Sequence, residues 1–468
     1  MMRLTEKLVG VKAVVFGLGA SGKAATEVLT SFGAKVFAVD HSRSSAVAEG
    51  VKPLLGMGAE VFLGAIPDRV MTDAELVVVS PGVPTDLSEI ETARASGAKI
   101  IGELELSYLL CDAQFLAVTG TKGKSTTARL LASILKAAGM QVVLGGNLPG
   151  EPLSPKVLGL SSKAKVVAEV SSFQLETIDR FRPYVSCITN LDVDHLDRYD
   201  GLSDYYSAKL RIFENQDESE YLVLNEDDPK LMDYTRDARP HSVLFSVEDD
   251  SLTDGVFLSK NAIEFREEGK VLGSSDRAEV HLPGVHNLKN VMAASAMAMC
   301  LDVPPQAVRD ALARFRLAPH TLEVFAELEG ITFVDDSHAT NPLSVSVAIQ
   351  AFDKPIVLIA GGKDKGGDFK RLIPPARDRV KLVIAIGEAA ERIESELSSD
   401  LPVVVNRGGI EDVVNMAIDR AEAHEVVLLS PGCSSFDMFV DFRDRGRRFK
   451  RAVFAAFEKE KAKSHATR

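Results

Sequence analysis

An α/β architecture of parallel sheets, arranged in three successive domains, is predicted by three features of the sequence. Short apolar runs alternate with helical patterns almost throughout, the pattern of βαβ units. Two of those runs lead straight into glycine-rich turns, at Gly17–Gly22 and at Thr119–Thr126. The length, 468 residues, exceeds what one ordinary core needs.

Each block can be justified in order. In the first, Rossmann-like domain (1–112), Val11–Phe16 reads as a buried strand, followed by a helix to Phe32, a strand Lys35–Val39 ending at Asp40, and a strand Leu76–Val79 stopped by Ser80-Pro81-Gly82. The central domain (113–318) opens with strand Phe115–Val118. A helix follows in which Leu130, Leu131, Ile134 and Leu135 keep helical spacing and Gly139 is the stop. Val166–Val170 and Val185–Thr189 are further strands, and 241–282 reads as a small antiparallel insertion before an Ala-rich helix, Asn290–Met299. The third, Rossmann-like domain (319–468) alternates strands Ile331–Val334, Ile356–Ala360, Leu382–Ile386, Val403–Val405 and Val426–Leu429 with helices. The charged tail after Phe454 is expected to fray.

Composition narrows the function. Hydrophobic residues make up 46% and charged residues 26%, ordinary for a soluble globular protein, and the net charge is −13. That charge disfavours broad nucleic-acid or anionic-membrane binding, which need a basic surface. The 4 cysteines (Cys111, Cys187, Cys300, Cys433) are scattered and form no CxxC pair, so neither a disulfide framework nor a zinc site is expected. No apolar stretch approaches a membrane span, no secretion signal opens the chain, and a cytoplasmic location is expected.

The turn Gly120-Thr121-Lys122-Gly123-Lys124-Ser125-Thr126 is a phosphate-binding loop. A strand, a glycine turn and a helix present unpaired N–H groups at a helix N-terminus, where the dipole favours a polyphosphate. Lys124 would reach the β/γ-phosphates and the Ser125 hydroxyl would take Mg²⁺. The first glycine of the usual GxxxxGK[ST] is Val118 here. The earlier turn, Gly17-Leu18-Gly19-Ala20-Ser21-Gly22 with Asp40 at the end of the next strand, alone suggests NAD, but the same turn holds any pyrophosphate, including that of a UDP-sugar, or serves only helix–strand packing. With an ATP loop in the next block, a nucleotide-linked substrate is the better reading. Glu169 ends a strand and is placed to hold Mg²⁺. His195, beside Asp192, Asp194 and Asp197, is a site candidate. By pattern alone Lys209, in the amphipathic Tyr205–Phe213 segment, belongs on a solvated face.

At these residues the chain resembles the Mur ligase family over essentially its full length. The resemblance rests on Gly17–Gly22, Ser80-Pro81-Gly82, Thr119–Thr126, Gly145-Gly146-Asn147, Glu169–Glu176, Asp194–Tyr199, His286–Asn290, Asp336–Asn341, Gly361–Gly366 and Leu429–Phe436. It implies an ATP-dependent ligase that makes an amide in peptidoglycan precursor synthesis, within the branch that adds glutamate to UDP-N-acetylmuramoyl-L-alanine. Ala20, Ser21, Asp40, Ser80, Gly82, Asn147 and His195 would then serve the UDP-linked substrate, with Asp40 near the uracil. Gly120 to Thr126, Asn290 and Asp336 would serve ATP. Thr340, Lys365, Ser435 and Phe442 would line the glutamate pocket. Two Mg²⁺ would be held by Ser125, Glu169, His195 and Lys209, the last as a carbamate; carbamylation converts an ammonium into an anionic oxygen ligand suited to a hard cation. Lys124, Glu169, His195 and Lys209 would be the catalytic set. A monomer is expected, with the third domain closing over the central one.

Two positions depart from the family pattern. Thr321 follows Pro319-His320 where the family usually has arginine, and His338 replaces the lysine of an Asp-Ser-Lys-Ala-Thr-Asn motif. Arg316, Lys363 or protonated His338 would have to supply the missing charge, and amino-acid preference is affected more than reaction class. D-glutamate is favoured, with L-glutamate or another amino acid as the alternative. A folate-polyglutamate ligase, a non-catalytic nucleotide-binding regulator and an NAD oxidoreductase are the competing readings.

Overall fold

The structure, a computed structural model, describes residues 8–193, 198–280 and 282–466, with side chains to residue 459. It forms two compact units, Met1–His281 with Asn287–Phe315, and Leu282–His286 with Arg316–Arg468. No helix among the described residues is long and apolar enough to cross a membrane.

The first unit holds two sheets. β1 (Lys12–Phe16), followed by α1 (Ala20–Ser31), lies at the centre of an all-parallel sheet with β2 (Lys35–Asp40), β3 (Glu60–Leu63), β4 (Leu76–Val79) and β5 (Lys99–Gly102), in the order β3-β2-β1-β4-β5. Ala13, Val14, Val15 and Phe16 are all buried, as expected of a strand covered on both faces. α2 (Glu103–Leu110) then leads into the second sheet. Its buried Glu105 accepts the backbone N–H groups of Asp179, Arg180 and Phe181 at 2.9–3.0 Å, joining the two sheets through one carboxylate. Tyr108, Phe115 and Phe181 pack edge-to-face beside it, with centroids 5.5–5.7 Å apart.

The second sheet has nine strands. β6 (Gln114–Thr119), followed by α3 (Lys124–Ala137), sits between β8 (Lys165–Glu169) and β9 (Val185–Ile188), with β7 (Val142–Gly146) at one edge. Leu130, Leu131, Ile134 and Leu135 of α3 are fully buried, as their spacing predicts. α4 (Ser172–Leu175) and α5 (Leu202–Leu210) follow β8 and β9. β10 (Tyr221–Asn225), β11 (His241–Ser246), β12 (Gly255–Ser259), β13 (Ala262–Glu267) and β14 (Lys270–Asp276) complete the order β14-β13-β12-β11-β10-β9-β6-β8-β7. The segment read as a small insertion is therefore an extension of the main sheet. β11 pairs in parallel with β10 and β12, and only β12, β13 and β14 run antiparallel. α6 (Val285–Met299) covers part of this core, with Val291 to Ala298 buried.

The second unit is a six-stranded sheet. β15 (Glu323–Leu328) makes an antiparallel hairpin with β16 (Ile331–Asp335), and the remaining pairs are parallel. β17 (Ile356–Gly361), β18 (Val380–Ile386), β19 (Val403–Val405) and β20 (Val426–Leu429) give the order β15-β16-β20-β17-β18-β19. The strand β15 is absent from the sequence reading; its residues are only half-buried, so it lacks an unbroken apolar run. α7 (Phe442–Ala466) is the last described helix and continues past Phe454 to Ala466. Its inner face, Phe449, Val453 and Phe457, is buried against the sheet.

Candidate functional site

In the first unit the phosphate loop is gripped by the exit of the neighbouring strand. The Thr121 N–H donates to the Asn190 carbonyl at 3.1 Å and the Lys122 N–H to Asn190 Oδ1 at 3.0 Å. Asn190 Nδ2 and Thr189 Oγ1 return hydrogen bonds to the Lys122 carbonyl at 2.9 and 2.6 Å. Gly120 and Gly123 both have left-handed backbones, φ 141° and 85°. A Cβ at the first would collide with Thr189 Oγ1, and at the second with Asn290 Oδ1. The two glycines thus let Thr189 and Asn290 close on the loop. Lys124 Nζ donates to the carbonyls of Gly120 and Thr121 at 2.9 Å each, and the Ser125 hydroxyl is exposed at the helix start.

Two further predicted catalytic residues, Glu169 and Lys209, gather here. Glu169, 2% exposed, accepts from Asn147 Nδ2 through Oε1 at 2.9 Å, while its Oε2 is buried with no hydrogen-bond partner. A buried carboxylate oxygen without a donor is costly unless a cation takes it. That observation fits Glu169 as a Mg²⁺ ligand, with the hard oxygen donor such an ion needs. Lys209 is 1% exposed, which corrects its assignment to a solvated face. It packs on Tyr205, 4.4 Å from the ring centroid, and donates to the Gly120 carbonyl at 2.9 Å. Periodicity missed it because its partner lies 89 residues away. His195 lies outside the described residues.

The first glycine turn is a separate site. Asp40 accepts the Leu18 N–H at 2.7 Å and the Ser42 N–H at 2.8 Å, one on each oxygen, and so ties the turn to the end of β2. Ser80 Oγ donates to the Gly17 carbonyl at 2.7 Å and holds the turn from the other side. Ala20 and Ser21 open α1 with their backbone N–H groups at its dipole end.

In the second unit the predicted residues collect at the carboxyl ends of three adjacent strands, β16, β20 and β17, where ligands of open α/β sheets bind. Asp336, just past β16, is buried and accepts from Ser430 Oγ at 2.7 Å and the Leu322 N–H at 3.0 Å. Burial pushes its carboxyl up to about 7. The Gly432 N–H donates to the Ala339 carbonyl and the Lys363 N–H to the Ser434 carbonyl, both at 2.9 Å. The loops bearing Thr340, Lys365 and Ser435 are thereby drawn together. Lys365 is exposed, and Arg392 pairs with Asp364 at 2.9 Å to pin the turn that carries it.

Family profiles match the same three regions in order. The Mur ligase MurD-like N-terminal domain covers residues 11–102, the Mur ligase middle domain 118–298, and the Mur ligase glutamate ligase domain 322–433. Among relatives, the UDP-N-acetylmuramoylalanine–D-glutamate ligase of Geotalea daltonii is 42% identical over 95% of this chain and 98% of its own. The protein of the same name from Caldanaerobacter subterraneus subsp. tengcongensis is 40% identical over 97% and 99%. The chain belongs to the Mur ligase family. It is an ATP-dependent ligase. Two solved ligase structures share the fold at low identity. A pseudomurein peptide ligase type C from Methanothermus fervidus aligns at TM-score 0.57 and 17% identity, over 95% of this chain and 99% of that one. MurF from Acinetobacter baumannii aligns at 0.55 and 16%, over 91% and 89%.

Sequence reasoning missed one residue in the second unit of this Mur ligase. Arg445, on α7, is fully buried and donates to Ser337 Oγ and the Ser337 carbonyl at 2.9 Å, to the Cys433 carbonyl at 3.1 Å and to the Ser434 carbonyl at 3.3 Å. Ser337 Oγ in turn donates to the Phe442 carbonyl at 2.8 Å. One guanidinium thus fixes the backbone beside Asp336, Ser435 and Phe442. Burial lowers it to about 10. A second cluster, His320, Glu323 and Asp335, resembles a metal-binding trio, but Lys450 reaches both carboxylates, at 2.5 and 3.4 Å.

Proposed function

We propose that this chain joins D-glutamate to UDP-N-acetylmuramoyl-L-alanine at the expense of ATP. The observation that carries this reading is the similarity, 42% and 40% identical over nearly the full length, to two ligases of that name, together with a phosphate loop beside the orphaned oxygen of Glu169. The working divisions are 1–112 for the UDP-linked substrate, 113–318 for ATP and 319–468 for glutamate, in a monomer acting in the cytoplasm.

A carboxylate is a poor acyl donor because its leaving group would be oxide. The substrate carboxylate oxygen attacks the γ-phosphorus of ATP, the bond to the β-bridging oxygen breaks, and ADP leaves. The acyl phosphate then loses inorganic phosphate as the glutamate amine attacks its carbonyl carbon and sheds a proton. Lys124, released from the Gly120 and Thr121 carbonyls, neutralises charge on the transferring phosphoryl group. The backbone N–H groups at the start of α3 cradle the phosphates. Ser125, Glu169, His195 and a carbamylated Lys209 would hold two Mg²⁺, which when bound screen the charge crowded between carboxylate and phosphate. Thr340, Lys365, Ser435 and Phe442 orient the amino acid, and most of the acceleration is positioning.

The test is ADP release with UDP-N-acetylmuramoyl-L-alanine against a panel of amino acids including both glutamate enantiomers. Release that requires D-glutamate supports the reading; release with L-glutamate alone, or independent of any amino acid, overturns it.

A further inference from the structure

The ring of Phe442 is flanked by two basic side chains. His338 lies on it with centroids 4.8 Å apart, and the Arg443 guanidinium is 4.8 Å from its centre. His320 meets the same ring edge-on at 6.3 Å. Thr321 Oγ1 stands 3.5 Å from His338 Nδ1, at the long end of hydrogen bonding, and steadies the imidazole. The two positions that depart from the family pattern are therefore neighbours, and His338 stands exposed two residues before Thr340.

We propose that His338 is a specificity residue of the amino-acid pocket, binding a carboxylate of the incoming amino acid as imidazolium and taking up its proton as that carboxylate arrives. The proposal rests on the ligase reading above. The carboxylates on neighbouring elements are already engaged. Asp335 is held by His320 and Lys450, Glu323 by Lys450, and Asp336 by Ser430 and the Leu322 N–H. What faces His338 is positive or neutral. Partial desolvation on the side that lies against Phe442, then Arg443 and then His320 hold its pKa below the ordinary 6.5 and favour the neutral ring in the free protein, although the residue stays open to solvent on its other side. A substrate carboxylate within hydrogen-bond reach reverses the balance, since an opposite charge favours the protonated ring. A residue that gains a proton on binding makes affinity fall as pH rises through its free and bound pKa values.

The experiment is a pH series of the KM for D-glutamate at saturating ATP and UDP-N-acetylmuramoyl-L-alanine. In the wild type this KM is expected to rise severalfold from pH 6 to pH 8.5, about tenfold per unit separating the free and bound pKa. His338→Gln is expected to raise KM at pH 6 and to remove that rise. His338→Lys keeps its charge across the range and is expected to give a low, flat KM. Thr321→Val is expected to shift KM in the direction of His338→Gln, by less. Deprotonation of the substrate amine acts oppositely and is common to every variant, so the comparison between variants decides. The KM for ATP is expected to stay the same in all. A KM in His338→Gln that tracks the wild type at every pH overturns the proposal. Wild type that does not turn over D-glutamate overturns the substrate reading instead. The series is then run with the amino acid that does support ADP release, where a wild-type KM that does not rise with pH overturns the role of His338.

Discussion

Asn147 donates its side-chain amide to one oxygen of Glu169 at 2.9 Å and leaves the other oxygen buried with no donor. The amide fixes the carboxylate's rotation, and the free oxygen is aimed by that constraint. Glu169→Gln preserves size and an acceptor for Asn147 but removes the charge. Its ADP release is expected to fall by more than the roughly 10–100-fold that changes behind a metal ligand cost, and its Mg²⁺ requirement to rise. A Mg²⁺ titration of both proteins checks this, and an unchanged half-saturation would sink Glu169 as a ligand.

Lys209 offers a sharper chemical test. Its Nζ lies between the Gly120 carbonyl and the Tyr205 ring, a setting that suits an ammonium. As a carbamate it would retain one N–H to donate while presenting two oxygens. Lys209→Ala is expected to lose activity by two orders of magnitude or more, as removal of a metal ligand should. A short-chain carboxylic acid added to that variant is expected to restore part of it. Full activity in Lys209→Ala, or no rescue across a series of chain lengths, refutes the carbamate.

The contrast between these residues shows what the sequence could carry. Glu169 was legible because a carboxylate directly after the apolar run Val166-Val167-Ala168, at the end of a strand, breaks the local pattern in a place where ligands bind. Lys209 was not, since a lysine four residues beyond Tyr205 fits any half-exposed helix, and its burial depends on a loop 89 residues earlier. The strands around the phosphate loop were legible from unbroken apolar runs, whereas β11 and β12 were assigned to an antiparallel insertion. Turn residues mark where strands end but say nothing about parallel or antiparallel pairing. Arg445 sits among five arginines between residues 443 and 451. A usable signal was present: it precedes Phe449 and Val453 by four and eight residues, which places it on the buried face.

That placement makes Arg445 a stability prediction as well as a functional one. Arg445→Met removes a buried charge but strands the Ser337 and Cys433 carbonyls, while the Ser434 carbonyl keeps the Lys363 N–H and the Ser337 hydroxyl keeps the Phe442 carbonyl. Each orphaned buried acceptor costs about 1–3 kcal/mol, partly offset because no guanidinium need then be desolvated. The net expectation is a loss of a few kcal/mol, read as a lower unfolding midpoint, with a raised KM for the amino acid at temperatures where the variant stays folded. Arg445→Lys keeps the charge without the planar fork and is expected to fall between. A midpoint in Arg445→Met equal to wild type would show that the four hydrogen bonds contribute nothing net.

Asp336 links the same region to pH. Its carboxyl, buried and close to Asp335, is raised from its ordinary 3.8 to about 7. The folded state therefore holds this proton over an interval in which the unfolded chain has released it. The stabilisation is complete below about pH 4 and is lost progressively as pH rises through about 7, amounting to roughly 4 kcal/mol from this group. Asp336→Asn accepts the Leu322 N–H through Oδ1, donates from Nδ2 to a reoriented Ser430 hydroxyl, and has no proton to lose. Relative to wild type it is expected to be more stable at pH 8.5 than at pH 5, so that the midpoint difference between the two proteins changes in its favour across that range. Unfolding of both proteins at the two pH values measures this directly. A midpoint difference that does not move with pH would mean that Asp336 is already ionised at pH 5, compensated by a positive group that the burial of the site does not reveal.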